Sequence, residues 1–243
     1  MKRTSFLMMV FAAMLAGLVF ASCKKDKIEA NNNNNNGGGN GEGGELIPVE
    51  WVDLGLPSGL LWAKCNLGAT TPQEYGNYYS WGGTQPKNLY RWDTTDYCTA
   101  SSGNLTALSK YNTHSDYGTP DNLTTLEAMD DAASVAIGGK ARTPTRLEWV
   151  ELMDNTTMEM VTENNVYGAK FTASNGNSIF LPAAGYRWLD RLSEDGNQGC
   201  YWSSSLYEGV PSDAWYFKIP SDNYNPSVNY RYYGYSIRPV RAK

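Results

Sequence analysis

The distribution of apolar positions changes character several times along the chain. From Phe6 to Phe20 nearly every side chain is apolar, preceded by Lys2 and Arg3 and followed by the small residues Ala21 and Ser22. That run is shorter than the roughly 20 residues of a membrane-spanning helix. A basic start, a short apolar segment and a small-residue end predict a secretory signal peptide over 1–22. The pattern then empties: Asn31–Asn36 and the Gly/Asn tract to Gly44 have no apolar side chain to bury. Such a tract cannot repay the entropy of ordering, so 23–45 is expected to be a flexible tether. A coil of ~14 residues reaches about 20 Å root-mean-square.

From residue 46 a domain-like pattern takes over and runs to 243. Val49-Glu50-Trp51-Val52-Asp53-Leu54 alternates like a strand and breaks at Gly55 and Pro57, and a second strand fits Leu60–Cys65. Thr70–Asn122 is rich in Gly, Asn, Thr, Tyr and Asp without a sustained period, and reads as long loops, a feature that often marks function in a compact domain. Leu126, Met129, Ala133 and Ala136 recur at helical spacing up to Ile137, where Gly138-Gly139 stops them. A second helix is expected after Pro144, with Thr145 and Glu148 forming a T-x-x-E capping box. Leu147, Val150 and Met153 would line one of its faces, flanked by Trp149. Strands are then predicted at Met158–Thr162, Tyr167–Thr172 and Ser178–Leu181, the last two joined through the hairpin signal Asn175-Gly176. Further strands fit Cys200–Leu206, Ala214–Ile219 and Tyr233–Val240. No tandem repeat is visible. Two short strands, loops, two helices and an antiparallel set predict an α+β domain.

Composition narrows the function. Loss of residues 1–22 removes two of the 20 Lys and Arg and leaves 18 against 25 Asp and Glu, a net charge near −7. That balance argues against nucleic acid and against anionic lipid surfaces as partners. Eight Trp and seventeen Tyr stand out in a chain with few charges, as in an exported domain with an aromatic core. Of the four cysteines, Cys65, Cys98 and Cys200 lie in the domain, an odd number that allows at most one internal bridge. Their spacings suit neither zinc nor a CxxC redox pair. His114 is the single histidine, in a polar loop, which argues against His-based metal sites and triads. No cofactor is expected, and no metal.

Val19-Phe20-Ala21-Ser22-Cys23 resembles the lipobox of bacterial lipoproteins, with Phe20 where Leu is usual. The resemblance implies that Cys23 receives a diacylglyceryl group and becomes the mature N-terminus, carrying fatty acids such as palmitate. Several acyl chains, at about 0.8 kcal/mol per buried methylene, make such an anchor effectively permanent. Lys24-Lys25-Asp26-Lys27 is similar to signals that send Bacteroidetes lipoproteins to the outer face of the outer membrane. Surface display is therefore the expectation, with the periplasmic face as the alternative.

The segments Trp51–Ala63, Asn77–Gly82, Ala141–Thr145, Ser178–Arg187, Tyr201–Ser205 and Gly234–Arg241 together resemble the Fibrobacter succinogenes major paralogous domain over essentially the whole of 46–243. That resemblance implies a C-type-lectin-like fold, with two helices packed on short antiparallel sheets, long loops and termini close together. It implies little about activity. Members often carry a cysteine shortly after the second helix, where this chain has Thr156, so a bridge from Cys65 to that region is unavailable. The Glu-Pro-Asn and Trp-Asn-Asp strings of calcium-dependent lectins do not occur, nor does a cysteine pair like that of formylglycine-generating relatives.

Candidate chemistry concentrates in the C-terminal third. Trp188 is read as lying in a loop with Asp190, Arg191, Glu194 and Asp195, while Tyr207, Tyr224, Tyr230, Tyr232 and Tyr233 lie in or beside loops rich in Asn, Asp and Ser. Sugars stack their C–H faces on such rings while amides and carboxylates bond their hydroxyls, so Trp188, Asp190, Tyr207, Tyr224, Tyr230 and Tyr232 are the candidate glycan-binding residues. The plainer reading is that most of these rings fill a core poor in aliphatics. Glu148 with Glu151, and Asp190 with Glu194 and Asp195, could serve glycoside hydrolysis only if placed across a cleft, and solvated surface charge is the simpler account. Arg142, Arg187 and Arg238 are expected to pair with carboxylates and pin strands. Asp93-Thr94-Thr95 resembles a bacterial O-glycosylation site. No nucleophile, metal set or convincing acid pair emerges. The chain is thus expected to be a non-enzymatic, lipid-anchored binding or adhesion module of the envelope; the alternative is a structural or assembly component acting through protein contacts.

Overall fold

The computed structural model describes residues 47–220 and 226–243. The signal-peptide and tether readings, Cys23 and Tyr224 lie outside the described residues. In chain order the strands are β1 (Trp51–Asp53), β2 (Leu61–Ala63), β3 (Cys98–Ser101), β4 (Asn104–Leu108), β5 (Thr156–Glu163), β6 (Val166–Ala173), β7 (Ser178–Pro182), β8 (Ala184–Trp188), β9 (Arg191–Asp195), β10 (Gly199–Leu206), β11 (Asp213–Ile219), β12 (Ser227–Tyr230) and β13 (Val240–Arg241). Helices α1 (Ala132–Ile137) and α2 (Arg146–Asp154) stand between β4 and β5. The described domain is α+β and dominated by small sheets.

Those sheets follow the orders β1-β2-β13, β3-β4, β5-β6-β7 and β12-β11-β10-β8-β9. β2 is flanked by the first and last described strands: Trp62 pairs with Val52 on one side and with Val240 on the other. The β5-β6-β7 meander keeps strict antiparallel register from Glu163↔Val166 outward, with the predicted Asn175-Gly176 turn feeding β7. In the five-stranded sheet β10 runs parallel to β8 at Gly199↔Gly185 and antiparallel to β11.

β10 is buried along almost its whole length, and its two-residue period divides the core. Tyr201 joins one cluster, with Trp62, Trp149, Leu152, Phe171 and Phe217. Cys200 and Trp202 join the other, with Tyr79, Trp81, Tyr111, Tyr235 and Ile237. Large rings need polar partners when buried, and three of the buried indoles find a carbonyl, while Trp62 Nε1 has no partner among the described residues. Trp149 Nε1 donates to Trp202 O at 3.2 Å, Trp81 Nε1 to Ser203 O at 2.8 Å and Trp202 Nε1 to Tyr79 O at 2.7 Å. Trp149 also stacks on Phe217 with centroids 4.9 Å apart.

The α2 capping box forms as its sequence predicts, Glu148 N donating to Thr145 Oγ1 at 3.3 Å and Thr145 N to Glu148 Oε2 at 2.8 Å. The buried face is different from the expected one. Trp149 and Leu152 are fully buried, whereas Leu147 is 71 % exposed. Two positions from Trp149 lies about 200° round a helix, so once Trp149 takes the core Leu147 must face away. The helix expected from Leu126 begins only at Ala132, because Leu126 N donates to Ser204 O at 2.9 Å in an extended pairing with β10. Asp131 then caps α1, accepting from Ala133 N at 2.9 Å.

Further differences concern strands. The stretch read as loops contains the β3–β4 hairpin, and residues 184–195 form the β8–β9 hairpin. The strand expected over Tyr233–Val240 is instead a segment crossing several others: Gly234 bridges Arg187, Tyr235 bridges Tyr79, and Ser236 bridges Tyr201. Only Val240–Arg241 pairs as a strand.

The three motif arginines meet different fates. Arg142 pairs with Glu148 through Nη1 and Nη2, at 2.7 and 2.5 Å. Arg187 lies over the Tyr78 ring, 5.2 Å from its centroid, and has no carboxylate partner among the described residues. Arg238 is fully buried and donates to neutral oxygens: Asn66 Oδ1 at 2.9 Å, Lys64 O at 2.7 Å and Phe180 O at 2.8 Å. Burial lowers its pKa to about 10, leaving it charged at neutral pH. These bonds tie β2 and β7 to the C-terminal segment without an opposite charge.

Candidate functional site: an aromatic groove

Three remote stretches of chain are stitched edge to edge around one groove. Tyr90 N donates to Leu189 O at 2.9 Å and Leu189 N to Tyr90 O at 3.0 Å, which binds the 90–92 segment to the tip of the β8–β9 hairpin. Arg187 N donates to Gly234 O at 2.7 Å and Gly234 N to Arg187 O at 2.9 Å, which binds β8 to the 230–234 segment. The tip of the β3–β4 hairpin, Gly103 and Asn104, closes the remaining side. The hollow is about 430 Å³ and is lined by Arg91, Trp92, Trp188, Leu189, Tyr230 and Tyr232 together with that tip. Its size falls in the range of small-molecule sites, roughly 300–1,000 Å³.

The rings form a fixed array. Tyr230 and Tyr232 stack with centroids 5.5 Å apart, and Tyr232 stacks on Tyr233 at 4.7 Å. Trp92 stands edge-on to both, at 5.7 Å from Tyr230 and 4.9 Å from Tyr232. Trp188 stands at the end of β8 and lines the same hollow as Tyr232. Burial, reinforced by the neighbouring tyrosines, pushes the Tyr232 phenol well above its ordinary pKa, so it stays protonated. Trp92 is nearly buried and acts as a floor, while Trp188 and Tyr230 are 43 % and 46 % exposed and offer ring faces to solvent.

Of the residues singled out from sequence, Trp188, Tyr230 and Tyr232 therefore converge. Asp190 does not join them: it is exposed in the β8–β9 turn and is not among the lining residues. Tyr207 lies beyond β10, edge-on to Trp215 at 5.4 Å, away from the groove lining. Trp188 belongs to a strand and not to a loop, and Arg191, Glu194 and Asp195 lie on β9. Trp92, Arg91 and Asn104 escaped the sequence reading. Arg91 and Trp92 lie where no period is sustained and the one signal was a Trp in a long run of polar residues, whereas Asn104 opens a short alternating strand.

The other candidate chemistry is absorbed by the scaffold. Glu148 is held by Arg142 and Thr145; burial alone would raise its carboxyl, but those bonds outweigh it and keep the pKa below the ordinary value. It is not a solvated surface charge. Glu151 accepts from Ser58 N at 2.7 Å, tying α2 to the turn after β1. The Thr94 hydroxyl donates to Leu89 O at 2.8 Å, so the residue resembling an O-glycosylation site uses its oxygen internally. Cys65, Cys98 and Cys200 are free thiols, and burial pushes Cys98 up to about 11 and Cys200 up to about 12. Both are poor nucleophiles at neutral pH. Among the described residues no group of three or more His, Cys, Asp or Glu side chains could hold a metal ion, and no helix is long and apolar enough to cross a membrane. A larger hollow of about 690 Å³, lined mainly by Pro48, Val49, Cys65, Leu67, Ile137 and Pro239, adjoins the start of the described chain.

The lining of the groove holds rings, a guanidinium and an amide, with no carboxylate, thiol or imidazole. Flat apolar faces flanked by hydrogen-bonding groups match the two-sided character of a pyranose ring. Compared with models of known families, with curated proteins and with solved structures, the chain matches none.

Proposed function

We propose that this protein is a non-enzymatic binding module held at the outer membrane by lipid on Cys23, and that the groove between Trp92, Trp188, Tyr230 and Tyr232 takes a glycan. The observation that carries the reading is the convergence of four rings from three distant segments on one hollow, with two of those rings, Trp188 and Tyr230, half-exposed. A ring needed only for packing would gain nothing from an exposed face. The lipobox-like sequence ending at Cys23 and the Asn/Gly tract behind it support display at the end of a leash. The C-type-lectin-like fold is part of the same proposal, supported by two helices set between short antiparallel sheets and by terminal strands that share β2.

Titration calorimetry of the domain against plant and host oligosaccharides tests the reading. Binding is expected to weaken at least tenfold in Trp188→Ala and to persist in a chelator, since rings, a guanidinium and an amide line the site without a metal-ligating group. Silence across a broad glycan panel, with recovery of one stoichiometric envelope protein in a pull-down, would favour an assembly role instead. Mass spectrometry of the mature N-terminus tests the anchor: a chain beginning at an unmodified residue would remove it.

A further inference from the structure

Arg91 is the charged side chain among the groove-lining residues, and it is already engaged. Its Nε and Nη2 donate to the two carboxylate oxygens of Asp93, fork to fork. Asp93 is not itself part of the lining; it lies on a single 3₁₀ turn over Trp92–Thr94, and the pair is partly exposed to solvent. That turn is fastened at both ends. Arg91 N donates to Thr94 Oγ1 at 3.3 Å, and Thr95 Oγ1 donates to Arg91 O at 2.8 Å. The same turn thus sets the Trp92 floor and keeps the carboxylate against the guanidinium. The Nη1 amine has no hydrogen-bond partner among the described residues and remains available to a ligand.

Resting on the glycan reading of this groove, we propose that Asp93 is a specificity-determining residue: by holding Arg91 in a neutral pair it makes the site select uncharged sugars over acidic ones. A sugar hydroxyl accepts from Nη1 while the pair stays intact. A uronate or sulfate reaching the same Nη1 meets a guanidinium already neutralised by Asp93, and the nearby carboxylate repels it. The formal charge of −5 over the chain acts in the same direction.

The test compares size-matched neutral and carboxylated oligosaccharides, such as cello-oligosaccharides and oligogalacturonides, on the wild type and on Asp93→Asn. The wild type is expected to bind neutral chains at least tenfold tighter. Asp93→Asn frees the Arg91 charge, so affinity for acidic chains should rise up to about fivefold at low salt, the scale of an exposed ion pair. Neutral binding should change less than twofold, and the acidic gain should vanish at high salt. A wild type that prefers acidic chains, or an unchanged ratio in a folded Asp93→Asn, overturns the assignment of Asp93 while leaving glycan binding standing. Binding of neither kind overturns the glycan reading and this proposal together.

Discussion

Gly234 shows how single positions hold the groove together. A Cβ there would meet Tyr90 Cε1 at 2.5 Å, and that ring cannot swing aside because its hydroxyl donates to Tyr78 O at 2.7 Å. The absent side chain therefore lets the 230–234 segment cross beside Tyr90 and reach β8. Gly234→Ala is expected to cost about 1–3 kcal/mol in urea unfolding, the range for overpacking a tight core, and to weaken ligand binding as well. Trp188→Ala, by contrast, removes a half-exposed ring and should leave the unfolding midpoint nearly unchanged. At this scale the sequence was partly legible. Tyr230 and Tyr232 declare themselves by crowding, and Trp188 by its polar neighbours. Trp92 does not, because its role depends on a hairpin nearly a hundred residues away.

Among elements, α2 was readable because its signals are local. Thr145 and Glu148 sit three residues apart, and the capping box needs nothing from elsewhere. Thr145→Ala should cost roughly 1 kcal/mol, and Glu148→Gln more, since it also weakens the fork on Arg142. Glu148 adds a pH signature. Its folded pKa lies below the ordinary 4.5, so the stability it contributes is present above that value and fades as pH falls through the lowered one. Acid titration followed by fluorescence should show a shallower loss of stability in Glu148→Gln than in the wild type. Other elements were hidden for physical reasons. The β8–β9 turn contains no Gly, Asn or Pro and places Leu189 at φ +55°, a conformation stabilised by its double bond to Tyr90. The β3–β4 hairpin turns at Ser102-Gly103 between strands that do alternate, Cys98-Thr99-Ala100-Ser101 and Asn104-Leu105-Thr106-Ala107, but that are too short to stand out from the polar stretch around them.

The whole molecule is held by its C-terminal segment more than by any one sheet. Residues 231–241 supply two buried arginines, Arg231 and Arg238, and the strand that completes β2. Arg231 donates to Pro211 O at 3.2 Å and Tyr111 O at 3.3 Å and lies 4.9 Å from the Trp81 ring centroid. Removing residues 231–243 is expected to abolish cooperative unfolding, as judged by thermal denaturation and by amide chemical-shift dispersion. Arg238→Met should destabilise by about 2–4 kcal/mol, because carbonyls left buried without donors carry the desolvation cost. The α+β class could be anticipated from the order of periodic segments. The crossing path of 233–238 could not, since single bridges to β8, to β10 and to Tyr79 leave no regular pattern along it.

The position of β2 has a consequence in time. A chain delivered N-terminus first offers β2 with one edge open until residues 240–241 arrive. Most of the polypeptide is therefore in hand before that first sheet can close, whereas the β5-β6-β7 meander is complete as soon as its own residues are present.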